Sequence, residues 1–182
     1  MIDGQLRTNN IGDPRLIAAI EAVPREAFVP ADKQGMAYVD IAIPLDGGRA
    51  LNAPLVTTRL IAEAGVLPGE KILVLGLAPG YAAALVEAMG ALVTSVSDDL
   101  ESGAADGAPY DAIIVDGAID MVPDALRDQL RDGGRLLTSW HDRGVTRLAR
   151  ATRAGQSLTL IPFAEMDAVR LPGFAAPKGF VF

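Results

Sequence analysis

The sequence predicts an α/β fold, with a mostly parallel sheet interleaved with helices and an antiparallel hairpin toward the C-terminus. Three observations carry this. Short runs at 72–75, 92–96, 112–115 and 135–140, rich in Val, Ile and Leu, alternate with segments of helical composition. The run at 72–75 is apolar throughout, as expected of a strand covered on both faces. After residue 144 the alternation stops, and strand-like runs at 145–151 and 157–163 flank Ala154 and Gly155, a hairpin signal.

In order along the chain, the first helix has Asp13 as its N-cap and Pro14 at its first position. Leu16, Ile17, Ile20 and Val23 then share a face, and Pro24 closes the segment. Residues 38–53 read as irregular, broken by Pro44, Gly47 and Gly48. A second helix starts at Pro54, presents Leu55, Leu60, Ile61 and Ala64 on one face, and stops at Gly65. YAAALVEAM, closed by Gly90, reads as the helix after the first strand. Residues 123–130 form the helix before the fourth strand and are followed by Gly133 and Gly134. The C-terminal LPGFAAPKGFVF is broken by Pro and Gly and ends in an apolar, strand-like tripeptide.

A length of 182 residues favours one domain. It divides into an N-terminal part (1–66), an α/β core (67–144) and C-terminal strands (145–182). Half of the residues are hydrophobic and 21% are charged, a globular balance. No cysteine is present, which excludes disulfides, thiol chemistry and Cys-ligated metal, and the one histidine, His141, excludes a His-rich metal site. The first ten residues are polar, and no apolar run reaches the ~18 residues of a membrane span, so the expectation is a cytoplasmic protein without a membrane partner. The net charge of −7 argues against nucleic acid as a general partner. Residues 71–130 carry two bases against ten acids, and 131–182 eight bases against four acids. The basic stretch is either a solvated Arg-rich face or a meeting point for an anion.

The segment ILVLGLAPGYAAAL carries the clearest chemistry. A buried strand enters a glycine-containing turn that opens a helix, which places backbone N–H groups and a helix N-terminus beside a ligand at the sheet's carboxyl edge. Gly76, Ala78 and Gly80 stand closer to a G-x-G-x-G spacing than to the dinucleotide G-x-G-x-x-G. Such a turn is equally a simple tight turn. Asp116, at the end of the third strand, stands on the ligand side of the sheet, or else Asp116 and Gly117 form a turn. His141 follows Trp140 at a strand end and reads as structural. No Ser/His/Asp set, P-loop or metal-ligand spacing is present.

Several segments, in this order and spacing, resemble the protein-L-isoaspartate O-methyltransferase family. They are VPREAFVP at 23–30, the stretch from Tyr38 through Pro44 to Asn52, Ala53 and Pro54, GLAPGY, APYDAI at 108–113, and the Pro123, Leu126, Gln129, Leu130, Gly133, Gly134 pattern. The resemblance implies a Rossmann-like methyltransferase sheet. It implies S-adenosylmethionine as cofactor, with Gly76, Ala78, Gly80, Tyr81, Asp98 and Asp116 around it. It also implies methyl transfer to the carboxylate of isoaspartyl residues in aged proteins, with Asn52 as the candidate catalytic residue and no metal. A carboxylate is already a nucleophile, so catalysis of this kind rests on positioning.

The chain also departs from that pattern. Asn52 stands where the family has a hydroxyl residue; it keeps a donor, and it also reads as an Asn in a turn before a helix. Val74 replaces an acid, Ala78 the middle glycine, and Ser97 the acid that would meet the ribose. Asp98 serves that role after a one-residue shift, or else Asp98 and Asp99 begin a solvated turn. Only ten residues separate Asp99 from Tyr110, where the family places a helix and a strand that need roughly 20–30 residues. The 98–109 link is therefore expected to be a loop, long enough at about 40 Å to run back along one strand. It leaves 92–96 as a truncated sheet edge open to a homodimer contact. Losing one ribose partner and one wall, at about 1–3 kcal/mol each, predicts weakened cofactor binding. The alternative reading is a non-catalytic member that binds protein or peptide.

Overall fold

The computed structural model of the chain describes residues 11–175. Helix α1 (Pro14–Ala22) begins where Asp13 caps it, accepting from the Arg15 backbone N–H at 2.9 Å. A cap of this kind contributes about 1 kcal/mol. Leu16, Ala19 and Ile20 turn inward. The segment 38–53 is more regular than expected. Two-residue strands β1 (Ile43–Pro44) and β2 (Ala50–Leu51) pair antiparallel there. Gly47 and Gly48 reverse the chain between them with φ of 69° and 73°, a region open to glycine and costly for other residues. Helix α2 (Pro54–Ala64) follows, and Gly65 ends it in the left-handed conformation.

The core then alternates as the sequence predicts: β3 (Lys71–Leu75), α3 (Gly80–Ala88), β4 (Leu92–Val96), β5 (Tyr110–Ile119), α4 (Asp124–Gln129) and β6 (Leu130–Asp142). Strands β4, β3, β5 and β6 lie side by side in that order, all parallel. Two strands outrun their sequence limits. β5 continues past Val115 to Ile119, because a register shift against β6 between Ile114 and Ala118 absorbs the extra residues. β6 starts at Leu130 rather than at 135, with a second shift opposite Tyr110 and Ala112.

The hairpin is present, but its second arm is split. β7 (Val145–Ala154) pairs antiparallel with β6, then with β8 (Ser157–Leu158) and β9 (Ile161–Glu165). β8 and the start of β9 keep one register along β7, with Arg153 opposite Leu158 and Arg150 opposite Ile161, and the register then shifts by one residue between Ala149 and Leu148. The turn is at Gly155, φ 59°. In β9, Pro162 brings no N–H to the ladder. The strand-like tripeptide expected at 180–182 lies outside the described residues.

Alternate residues of β3 serve opposite faces, as its wholly apolar run requires. Ile72 and Val74 join Ala112, Ile114 and Leu137 against α1, α2 and α3. Leu73 and Leu75 join Ile113, Val115 and Leu136 on the other face, where α4 contributes Leu126. The remaining cover of that second face is not helical. Leu100, Ala104 and Ala108 of the 98–109 link pack there, as do Leu171 and Phe174 from the C-terminal segment.

The link has one short 3-10 turn (Ala105–Gly107) and no strand, as expected. Gln129 holds it: its Oε1 accepts from the Ala104 N–H at 2.8 Å, and its Nε2 donates to the Ser102 carbonyl at 2.7 Å. The Tyr110 hydroxyl donates to the Ala104 carbonyl at 2.8 Å. The link thus crosses the sheet's face, leaving β4 at the edge with Leu92 64% exposed.

At the opposite, N-terminal end of the strands, Arg135 grips Glu70 with both nitrogens, at 2.9 and 2.6 Å. Both side chains are largely buried. Burial pushes the Glu70 carboxyl up, but the Arg135 hydrogen bonds and charge outweigh it and hold it below the ordinary range. Among the described residues no helix is long and apolar enough to cross a membrane.

Candidate active site

The carboxyl ends of β3, β4 and β5 bring together the turn 76–79, the start of the 98–109 link and a C-terminal strap at 169–174. The turn is tight for a packing reason. A Cβ on Gly76 would stand 3.2 Å from the Asp116 carbonyl oxygen, and one on Gly80 would stand 3.3 Å from the Phe28 ring. Gly76 therefore lets β3 and β5 approach, and Gly80 lets α3 start against the 3-10 turn Arg25–Phe28. Ala78 lines the cleft beside this turn and also packs against the apolar cluster of the helical face.

That cleft measures about 480 Å³. Its floor is the turn from Leu77 to Gly80, one wall is Phe28 to Pro30, another is Leu45, Asp46, Arg49 and Leu51, and Ser95 and Ser97 close the β4 side. A second cleft of about 460 Å³ adjoins it and shares Arg49, Leu77 and Ser97. Asp98 lines the second cleft, together with Asp99, Leu100, Glu101, Pro172 and Gly173. The Ser97 hydroxyl donates to Asp98 at 3.0 Å.

The remaining sequence-predicted residues are buried and line neither cleft. Tyr81 is fully buried, with its ring edge-on to Phe28 at 5.6 Å and the Arg25 guanidinium 4.7 Å from its centroid. Burial pushes its phenol up to about 12 against the pull of Arg25. Asp116 lies within β5 rather than at the strand's end, 5% exposed. Asn52 is 2% exposed. Its Nδ2 donates to Asp116 Oδ1 at 3.1 Å, and its Oδ1 accepts from the Ala53 and Val169 N–H groups, both at 3.2 Å. Thr57 donates its hydroxyl to the same carboxylate at 3.0 Å. Burial raises the Asp116 carboxyl above its usual value, opposed by the Asn52 and Thr57 hydrogen bonds and by the Arg25 charge. The structure thus joins Asn52 to Asp116 beneath the clefts and sets Gly80, Ala78 and Asp98 on their surfaces.

Sequence reasoning missed three contributors. Arg25 is completely buried; its Nε donates to the Ala37 carbonyl at 2.7 Å and its Nη2 to the Asn52 carbonyl. One guanidinium therefore ties both ends of the 38–51 segment that walls the cleft. The signal was present as the Arg of VPREAFVP, with no role attached. Thr57, a buried hydroxyl in α2 beside Thr58, whose own hydroxyl turns back to the Pro54 carbonyl, is the second. The third is the strap, whose LPGF motif reads as loop punctuation and gives no hint of what it lies against. His141 hydrogen-bonds Thr146 across β6 and β7 at 2.9 Å and takes no part in either cleft. Among the described residues no group of three His, Asp or Glu side chains is placed to hold a metal.

The model of the family described as protein-L-isoaspartate(D-aspartate) O-methyltransferase (PCMT) matches residues 1–97 and 87–167. The chain belongs to this family. A protein-L-isoaspartate O-methyltransferase of Methylorubrum populi is 34% identical over 179 residues, covering 85% of this chain and 84% of the relative. One from Methanoculleus marisnigri is 29% identical over 198 residues, covering 95% and 90%. Among solved structures, a protein-L-isoaspartate O-methyltransferase superposes with a TM-score of 0.79 at 20% identity over 92% of this chain, which spans 64% of that longer chain. A β-aspartate methyltransferase of Plasmodium falciparum, in complex with S-adenosyl-L-homocysteine, gives 0.75 at 15% identity, covering 91% of this chain and 93% of that one. These likenesses establish the Rossmann-like methyltransferase sheet. Family membership makes S-adenosylmethionine the cofactor to test against the clefts. The lining fits it: backbone and a helix N-terminus for an amino-acid end, hydroxyls and carboxylates for ribose, and Leu77 with Leu100 for an apolar ring.

Proposed function

We propose that this chain methylates the carboxylate of isoaspartyl residues in damaged polypeptides, using S-adenosylmethionine, with the cytoplasm as its place of work. The observation that carries the reading is the pair of joined clefts at the carboxyl ends of β3 and β4, floored by the turn before α3. The donor, when bound, supplies a methyl group on a sulfonium, already activated for transfer to an oxygen nucleophile. The chain's own residues position the reactants. The N-terminus of α3, with the backbone N–H groups of Leu77, Ala78 and Gly80 (Gly76 donates to the Val96 carbonyl and Pro79 has none), favours an anionic carboxylate. Ser97 and Asp98 offer an acceptor set to ribose hydroxyls.

Asn52 acts by positioning. One of its amide hydrogens goes to Asp116 and its oxygen is shared by two backbone groups, so it joins the cleft wall, β5 and the strap into one unit. Asp116 anchors this unit from below. The isoaspartyl segment lies along the wall formed by 45–51. The reading includes weak self-association through β4, whose edge holds no charge or proline and exposes Leu92.

Calorimetry tests the donor half of the reading. S-adenosylmethionine and its demethylated product should both bind with one site per chain, and Asn52→Ala should raise KM for an isoaspartyl peptide. Absence of binding in a folded protein contradicts the reading.

A further inference from the structure

We infer that the C-terminal strap at 169–174 supplies the nucleoside wall that the missing edge unit would have provided, so that the second cleft is a purine-nucleoside subsite. The inference rests on the donor reading above and assigns a wall to the half of the donor that the absent edge unit would have enclosed.

The strap is built in, not merely adjacent. Its backbone joins β5 where that strand overruns its expected end: the Ala118 N–H donates to the Val169 carbonyl at 2.6 Å, and the Leu171 N–H donates to the Ala118 carbonyl at 2.9 Å. Arg170 pairs with Asp120 at 2.7 Å. Leu171 and Phe174 are buried in the second apolar cluster, and the Val169 N–H reaches Asn52. Gly117 completes the fit, since a Cβ there would lie 2.5 Å from Leu171. The extension of β5 and the strap are thus one device.

Between these anchors, Pro172 and Gly173 face the start of the link across the second cleft. The approach is close: a Cβ on Gly173 would overlap the Glu101 carboxylate. Pro172 and Leu77 provide apolar surface of the kind a purine ring takes, and Arg49 provides a planar cation that stacks on such a ring. Asp98 and Glu101 are acceptors for a ribose diol. Because Arg49, Leu77 and Ser97 line both clefts, a ligand with its amino-acid end at 76–80 reaches this wall without leaving the protein surface. The link thereby carries two duties, covering the sheet face with Leu100 and offering the wall opposite the strap.

The test is hydrogen exchange of the whole chain with and without S-adenosylhomocysteine, alongside calorimetry with S-adenosylhomocysteine and with adenosine. The ligand should slow exchange at 76–80, at 98–101 and at 169–174 together. Pro172→Gly, checked for an unchanged thermal midpoint, should weaken both ligands about tenfold, equal to about 1.4 kcal/mol. Protection at 76–80 alone, or unchanged affinity for both ligands in Pro172→Gly, overturns the wall while leaving the donor reading intact. No S-adenosylhomocysteine binding at all overturns both. Exchange in the unmutated chain decides the matter even if the variant fails to fold.

Discussion

Replacing Gln129 by leucine isolates the device that lets this chain fold without its missing edge unit. The side chain is 6% exposed and makes two hydrogen bonds to the link, to the Ala104 N–H and the Ser102 carbonyl. Leucine keeps the bulk and removes both. At about 1 kcal/mol for each bond, the loss is about 2 kcal/mol. For a chain of this length, that lowers the thermal midpoint by about 4–8 °C. The loss should be local before it is global, with amides of 98–109 exchanging roughly thirtyfold faster, the factor that 2 kcal/mol implies. Gly103→Ala should act in the same direction, because its Cβ would meet Gln129 Oε1 at 2.6 Å at a φ of 66°. Differential scanning calorimetry and peptide-level hydrogen exchange read both effects. A midpoint within 1 °C of the parent, or a drop with unchanged exchange in 98–109, would refute the claim that Gln129 holds the link.

Four further outcomes are expected. Gly76→Ala brings a methyl to 3.2 Å from the Asp116 carbonyl and should cost about 1–3 kcal/mol, read by urea denaturation. Glu70→Gln should cost about 1.5–3 kcal/mol at neutral pH through its lost charged hydrogen bonds to Arg135. Because the folded carboxyl of Glu70 is depressed, its contribution is present above the unfolded value and fades as pH falls through the folded one, so the parent should lose more stability than the variant below about pH 4.5. Asp116 runs the opposite way: its carboxyl is raised, so its protonated form favours folding, and Asp116→Asn should remove a gain that appears as pH falls. Leu92→Lys should shift a concentration-dependent dimer to monomer in light scattering, and a parent that is monomeric at every concentration contradicts the edge contact.

The parallel core was legible because residues 72–75 of β3 and 112–115 of β5 are covered on both faces and therefore read as unbroken apolar runs. The edge was legible for a different reason, since twelve residues between Ser97 and Tyr110 cannot hold a helix and a strand. The route of that link was not legible. It depends on a side chain far along the chain, Gln129, meeting backbone groups that carry no sequence signature. The reach of β5 to Ile119 was hidden for a related reason: its last residues pair with the strap as well as with β6, a tertiary contact that local propensity does not record. At the site, the glycine turn read either as a presentation of N–H groups to a ligand or as a simple tight turn, and nothing in the sequence showed that Gly76 and Gly80 make room for Asp116 and Phe28. Asn52 and Asp116 were both singled out from sequence, but nothing in their spacing showed that they bond to each other.

The most direct measurement is methyl transfer from S-adenosylmethionine to a synthetic peptide carrying one isoaspartyl residue, beside the same peptide with an ordinary aspartyl residue. The account predicts a base-labile methyl ester on the isoaspartyl peptide alone, formed stoichiometrically with S-adenosylhomocysteine. A folded chain that binds the donor and esterifies neither peptide, or both equally, would contradict it.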